Sequence, residues 1–104
     1  MIVVTAGQIE GKTISKTVGL VKGSTIRARH VGRDIMASLR GIVGGEISEY
    51  TKMMAQAREE ALARMVEDAE SKGANAVVAM RFGTSMVMQN ASEVVAYGTG
   101  VVLG

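Results

Sequence analysis

The chain has 104 residues, 47% of them apolar, with no Cys, Trp or Pro, a single His and a formal net charge of +2. This excludes a disulfide scaffold, a thiolate zinc site, an iron–sulfur cluster, a cysteine nucleophile and any site built from several imidazoles of one chain. Only Tyr50, Phe82 and Tyr97 are aromatic, so the core has to be made of Val, Ile, Ala, Leu and eight Met.

In chain order, Ile2-Val3-Val4-Thr5 reads as a short strand and Gln8 to Gly11 as a polar turn. Thr13 to Ala28 is rich in β-formers and interrupted by Gly19 and Gly23, which mark bulges, bends or a hairpin. Gly32 to Val43 reads as a short helix ended by Gly44-Gly45. The clearest periodicity runs from Glu46 to Lys72. Ile47, Tyr50, Met54, Ala57, Ala61, Met65 and Ala69 recur at steps of three and four, opposite Glu49, Lys52, Gln56, Glu59, Ala63, Glu67 and Glu70. This predicts an amphipathic helix of about 40 Å at 1.5 Å per residue. Gly73 is placed to cap it. Glu60–Arg64, Arg64–Asp68 and Asp68–Lys72 are set four apart, the spacing of surface ion pairs. Ala74 to Arg81 and Ser92 to Leu103 read as two strands joined by Ser85 to Ala91. Their apolar runs are continuous, as in strands buried on both faces.

These elements make one α+β domain over residues 1–104, with two layers and one long and one short helix. The long helix covers one sheet face, and nothing remains to cover the other. A second copy of the chain is the expected cover, so the chain itself is the expected partner. Charge is uneven: residues 1–45 carry seven bases and two acids, residues 46–104 five bases and eight acids. Copies could therefore pair head to tail, or the two regions are simply solvated. No run approaches a membrane span, and the N-terminus lacks a basic leader, so a soluble cytoplasmic protein is expected.

Several stretches resemble one family. They are Val31-Gly32-Arg33-Asp34-Ile35, Ile42-Val43-Gly44-Gly45-Glu46, Tyr50-Thr51, Ala57-Arg58-Glu59-Glu60-Ala61, Arg64-Met65, Gly73-Ala74-Asn75-Ala76-Val77-Val78, Arg81-Phe82 and Glu93 to Thr99. The chain is similar to the YbjQ-like proteins, small uncharacterised proteins of bacteria and archaea. The resemblance implies a dodecin-like fold with an antiparallel sheet, assembled as a ring of five, and a heavy-metal-binding label. Two departures lend the metal label no support: Gly83 follows Arg81-Phe82 where relatives often have Asp, so one possible carboxylate ligand is missing, and His30 stands where Asn is frequent. The missing Cys and the solitary His weaken the label.

Candidate sites each have a plainer alternative. Met86-Val87-Met88 would present two thioethers to Cu(I) on one strand face, but adaptable packing explains such residues more simply. Glu46, Glu49 and Glu60 could offer carboxylates to a cation, yet their spacing suits a helix start and a solvated face. Gly41 to Gly45 precedes a helix N-terminus where an anion could sit, but it lacks a P-loop ending and Glu46 would repel phosphate, so a hinge is favoured. Lys22, Arg27, Arg29, His30 and Arg33 form a basic stretch without aromatic partners. Nucleic acid is therefore a weak reading, and pairing with a neighbour's acidic helix the more economical one. Glu46, Tyr50, Arg58, Asn75 and Arg81 are the candidate polar site. They form either a ligand pocket or a buried network between subunits, with Glu46 a partner for Arg81. A small molecule or metal ion is a candidate guest. No cofactor is called for, and no catalytic constellation has diagnostic spacing, which leaves an enzyme with an intersubunit active site as the remaining alternative to a non-enzymatic ring that binds a small ligand or serves as a scaffold.

Overall fold

The computed structural model describes residues 1–28, 46–88 and 91–104, which hold four strands and one long helix. The side chains of Ala28 and of residues 46–50 lie outside that description, as does the expected helix over 32–43. The strands are β1 (Ile2–Val3), β2 (Ile14–Ala28), β3 (Ala76–Met88) and β4 (Ala91–Leu103), and the helix is α1 (Glu46–Ser71). They form a single sheet in the order β1-β3-β4-β2.

α1 matches the periodic segment. Ala57, Ala61, Met65 and Ala69 are fully buried, while Lys52, Gln56, Glu59, Ala63, Glu67 and Glu70 are exposed. It ends as its glycine predicts. Gly73 takes φ +86°, its N–H reaches Glu70 O (3.1 Å), and Ala74 N–H reaches Ala69 O (3.0 Å). These two bonds satisfy carbonyls that the last turn leaves without helical partners.

The sheet is mixed, which corrects the antiparallel expectation. β2, β4 and β3 are antiparallel neighbours, but β1 runs parallel to β3, with Ile2 opposite Ala76 and Val3 opposite Val77. The N-terminal segment continues the contact: Val4 N–H bonds Val77 O, Met80 N–H bonds Val4 O and Ala79 N–H bonds Ala6 O. This path lets Val3 pack on the helix side of the sheet and Val4 on the outer side. The segment 4–14 thereby covers one end of the face that was expected to be bare, where Val4, Ile9 and Ile14 pack on Ala76, Val78 and Val101.

β2 is one unbroken strand, not a hairpin. Its register slips between Ile14 and Lys16 and between Thr17 and Gly19, where Gly19 takes φ +120°. β3 slips between Val78 and Arg81, beside Ala79 at φ +54°, and again between Met86 and Met88. Each slip places an extra residue on one strand and sharpens the local twist. Ser85 to Met88, expected in the connection, extends β3 instead. With strands this long, the Cα radius of gyration is 17.2 Å and the extents are 54 × 23 × 16 Å. A compact chain of about 100 residues has a radius near 13 Å.

Candidate functional site

Register assigns the sheet's faces, because residues opposite one another on a ladder share a face. The helix side carries Val21, Gly23, Thr25 and Arg27 of β2, opposite Gly98, Ala96, Val94 and Ser92 of β4. Gly23 sets the depth of contact. A Cβ there would lie 2.5 Å from Ala61 O and from Arg64 Cβ. Thr25, buried, donates its hydroxyl to Ala57 O at 3.1 Å and so satisfies its only polar side-chain group.

The outer side carries rows running across three strands. Lys22, Tyr97 and Arg81 form one; Ser24, Val95 and Gly83 the next; Ile26, Glu93 and Ser85 a third. Leu20 and Ile26 are each 60% exposed and Tyr97 40%. Beyond the end covered by residues 4–14, this face is open among the described residues and mixed in character, with Leu20, Ile26 and Tyr97 exposed among Lys22, Ser24, Arg81, Ser85 and Glu93.

The charged stripe of α1 meets the sheet edge. Lys22 N–H donates to Asp68 Oδ2 (3.0 Å), Lys72 Nζ to Leu20 O (3.1 Å) and Arg64 Nη1 to Ser24 O (2.6 Å). Arg27 Nη2 lies 2.6 Å from Glu60 Oε1. Of the three expected ion pairs along the helix, Asp68–Lys72 is present at 3.1 Å, while Glu60 and Arg64 reach β2 instead. The Asp68 carboxyl is held below its ordinary value of 3.8, chiefly by the Lys22 N–H, with partial burial opposing and Lys72 adding to the effect. Arg27 of β2 thus finds an acidic partner on its own chain's helix, while the other three contacts are to the β2 backbone. The sequence shows these residues as helix neighbours and gives no sign that β2 lies beneath them.

The five candidate polar residues fall in different places. Glu46 and Tyr50 begin α1, their side chains outside the described residues. Arg58 is exposed on α1. Asn75 clamps the end of β4: its Oδ1 accepts Leu103 N–H (2.7 Å) and its Nδ2 donates to Leu103 O (3.3 Å). Arg81 is exposed, and its Nη1 donates to Thr5 O (2.9 Å) and Met80 O (2.8 Å). Its partners among the described residues are thus backbone carbonyls, and the charge is not buried. Asn75 also borders an open depression of about 570 Å³ shared with Ile2, Lys12, Thr13 and Leu103. Of the basic stretch, Lys22 and Arg27 are described; Lys22 meets α1 through its backbone N–H and Arg27 through its guanidinium. Arg29, His30, Arg33 and the 41–45 loop lie outside the described residues.

A heavy metal needs convergent soft or nitrogen donors. The Met-x-Met pair does not supply them. Met86 is opposite Ser92 and Met88 opposite Ala91, so the slip between them turns the two thioethers to opposite faces. The expectation of one shared face fails because it assumes regular alternation. Among the described residues no three His, Asp or Glu side chains come together as a metal cluster. The donor set of these residues does not fit a resident heavy-metal ion within one chain. No helix among them is long and apolar enough to cross a membrane.

The chain is 62% identical to a UPF0145 protein of Dehalococcoides mccartyi strain BAV1 over 99% of both chains. It is 59% identical to one of Clostridioides difficile, over 99% of this chain and 92% of that protein. A crystal structure of a protein of unknown function from Pediococcus pentosaceus, of the DUF74 family, superposes with a TM-score of 0.69. It is 19% identical and covers 100% of this chain and 98% of its own, so it supports the fold alone. The model of the YbjQ family, described as "Putative heavy-metal-binding", matches residues 1–104, and the chain belongs to that family.

Proposed function

We propose that the chain works as the subunit of a homo-oligomer, a non-enzymatic scaffold or small-ligand-binding assembly in which outer sheet faces are buried together. The observation that carries this is the exposure of Leu20, Ile26 and Tyr97 on the outer face of strands of 15 and 13 residues. Segment 4–14 closes only its Val78–Val101 end. Apolar area withdrawn from water contributes about 25 cal/mol per Å², so burying Leu20, Ile26 and Tyr97 favours association, against the entropic cost of binding. A ring of five is the stoichiometry that the family resemblance implies. Glu46, Tyr50 and Arg58 on α1 are the polar residues assigned to a ligand or subunit contact, whereas Asn75 and Arg81 serve the fold. The metal role in the family's description gains no support from the donors among the described residues.

Light scattering tests the reading. The expected mass is a multiple of 10.9 kDa, and Leu20→Asp with Ile26→Asp should reduce it to one chain. A wild-type protein that runs as a stable monomer overturns the proposal.

A further inference from the structure

The basic residues of β2 have no aromatic partner along the sequence, and the sheet supplies one. Lys22 and Arg81 both lie opposite Tyr97, one on each side, so the row reads cation, phenol, cation across the outer face. Neighbouring strands are about 4.8 Å apart, which sets the Cα atoms of the two basic residues about 10 Å apart with Tyr97 between them. All three residues are exposed. Neither cation is neutralised by an ion pair among the described residues. Arg81 uses Nη1 alone on two carbonyls, Thr5 O at 2.9 Å and Met80 O at 2.8 Å, which fix the guanidinium and leave its charge uncompensated. The Asp68 carboxylate within electrostatic reach of Lys22 is bonded to Lys72 Nζ at 3.1 Å. The rows on either side, Leu20–Thr99–Val78 and Ser24–Val95–Gly83, hold no acid. Glu93 stands four residues from Tyr97 along β4, about 13 Å. Gly83 leaves room beside the ring: a Cβ there would stand 3.9 Å from Tyr97 Cε1.

We infer that this row binds a nucleoside phosphate, with the base stacked on Tyr97 and the phosphates drawn to Arg81 and Lys22. An exposed phenol fits a flat ring, and every base offers one. Guanidinium and ammonium both answer phosphate oxygens, the first as a planar fork that the Thr5 and Met80 carbonyls hold in place before any ligand arrives. The proposal rests on the small-ligand reading above and names its ligand class. The row is complete within one chain, so binding and assembly are measured separately.

Equilibrium dialysis of the wild-type protein with ADP tests the site, with adenosine and pyrophosphate as the two halves of the ligand. ADP should bind about tenfold more tightly than either half, and added salt should weaken it. Tyr97→Leu should lower ADP affinity about tenfold and leave pyrophosphate unchanged. Gly83→Asp sets a carboxylate two residues from Arg81 on the same face and should abolish binding of ADP and pyrophosphate. Gly83→Asn, of equal size and no charge, should retain both. Lys22→Gln, on the far side of Tyr97, should weaken both ligands without touching the packing of β3. Equal ADP binding by the two Gly83 variants, or unchanged ADP binding by Tyr97→Leu, overturns the proposal. A wild-type protein that takes up a single-stranded oligonucleotide but no ADP overturns it in favour of a nucleic-acid surface. An oligomer that binds no ADP overturns it and leaves the assembly standing, whereas a monomer that binds ADP supports the site and removes the assembly.

Discussion

Asp68 accepts the backbone N–H of Lys22 at 3.0 Å, from a helix carboxylate to the outward side of an edge strand. Helix positions 64, 68 and 72 advance about 6 Å per step, and strand positions 24, 22 and 20 advance nearly 7 Å. The two spacings match closely enough for three consecutive contacts. A segment that reads as three helix-surface ion pairs is therefore also a seal on the sheet.

The seal should weaken in acid. The Asp68 carboxyl titrates below its ordinary value, principally because it accepts the Lys22 N–H. A group depressed in the folded state contributes stability above its unfolded pKa and loses it as pH falls through the folded one. Asp68→Asn keeps an acceptor without the charge. It should cost about 1 kcal/mol at pH 7 and flatten the stability profile below pH 3.8. Urea midpoints of both proteins from pH 7 to pH 2.5 check this; parallel profiles would count against it.

The closest helix–sheet approach rests on Gly23. A Cβ at this position meets Ala61 O and Arg64 Cβ at 2.5 Å and Met65 N closer still, all parts of a helix that cannot yield locally. Gly23→Ala should destabilise by roughly 1–3 kcal/mol, the range of overpacked cores. Gly7 has nothing within 4 Å of its ideal Cβ, and Gly7→Ala should lie within about 0.5 kcal/mol of the parent. Equal effects of the two substitutions in chemical denaturation would refute the assignment.

Asn75 offers a choice between ligand and scaffold roles. Both ends of its amide are bonded to Leu103, extending the ladder between β3 and β4 by one side chain. Asn75→Ala should cost about 1–2 kcal/mol, because two backbone groups lose their partners. Amide exchange at Leu103 should rise while the copy number stays constant. Loss of assembly without faster exchange at Leu103 would place Asn75 at a contact instead.

Elements with strong local signals are legible from the residues. The i, i+3, i+4 recurrence from Tyr50 to Ala69 marks α1, and Gly73 marks its end. The consecutive burial of Ala76, Val77 and Val78, in clusters on two faces, follows their unbroken apolar run. What is illegible depends on partners distant in sequence. The parallel run of Ile2–Val3 beside Ala76–Val77 carries no local mark, because a two-residue strand has no periodicity. The slip between Met86 and Met88 is set by pairing with Ser92 and Ala91, and it reverses the expected common face of the thioethers. Arg81 reads as buried because its neighbours are apolar, but among the described residues β3 is an edge strand past Met80 and leaves it exposed.

Arg27 and Glu60 provide the last test, of charge asymmetry used within one chain. Their side chains lie 2.6 Å apart at 28% and 49% exposure. Partial exposure limits such a pair to about 0.5–1 kcal/mol, and salt should erode it. A double-mutant cycle with Arg27→Gln and Glu60→Gln should give coupling in that range at about 20 mM salt and roughly half of it at about 0.5 M. Measuring the cycle in the assembled protein and in the Leu20→Asp/Ile26→Asp variant separates the two origins of the pairing. An intrachain pair keeps its coupling in both, whereas coupling that vanishes on dissociation would show that β2 of one copy is answered by the helix of another.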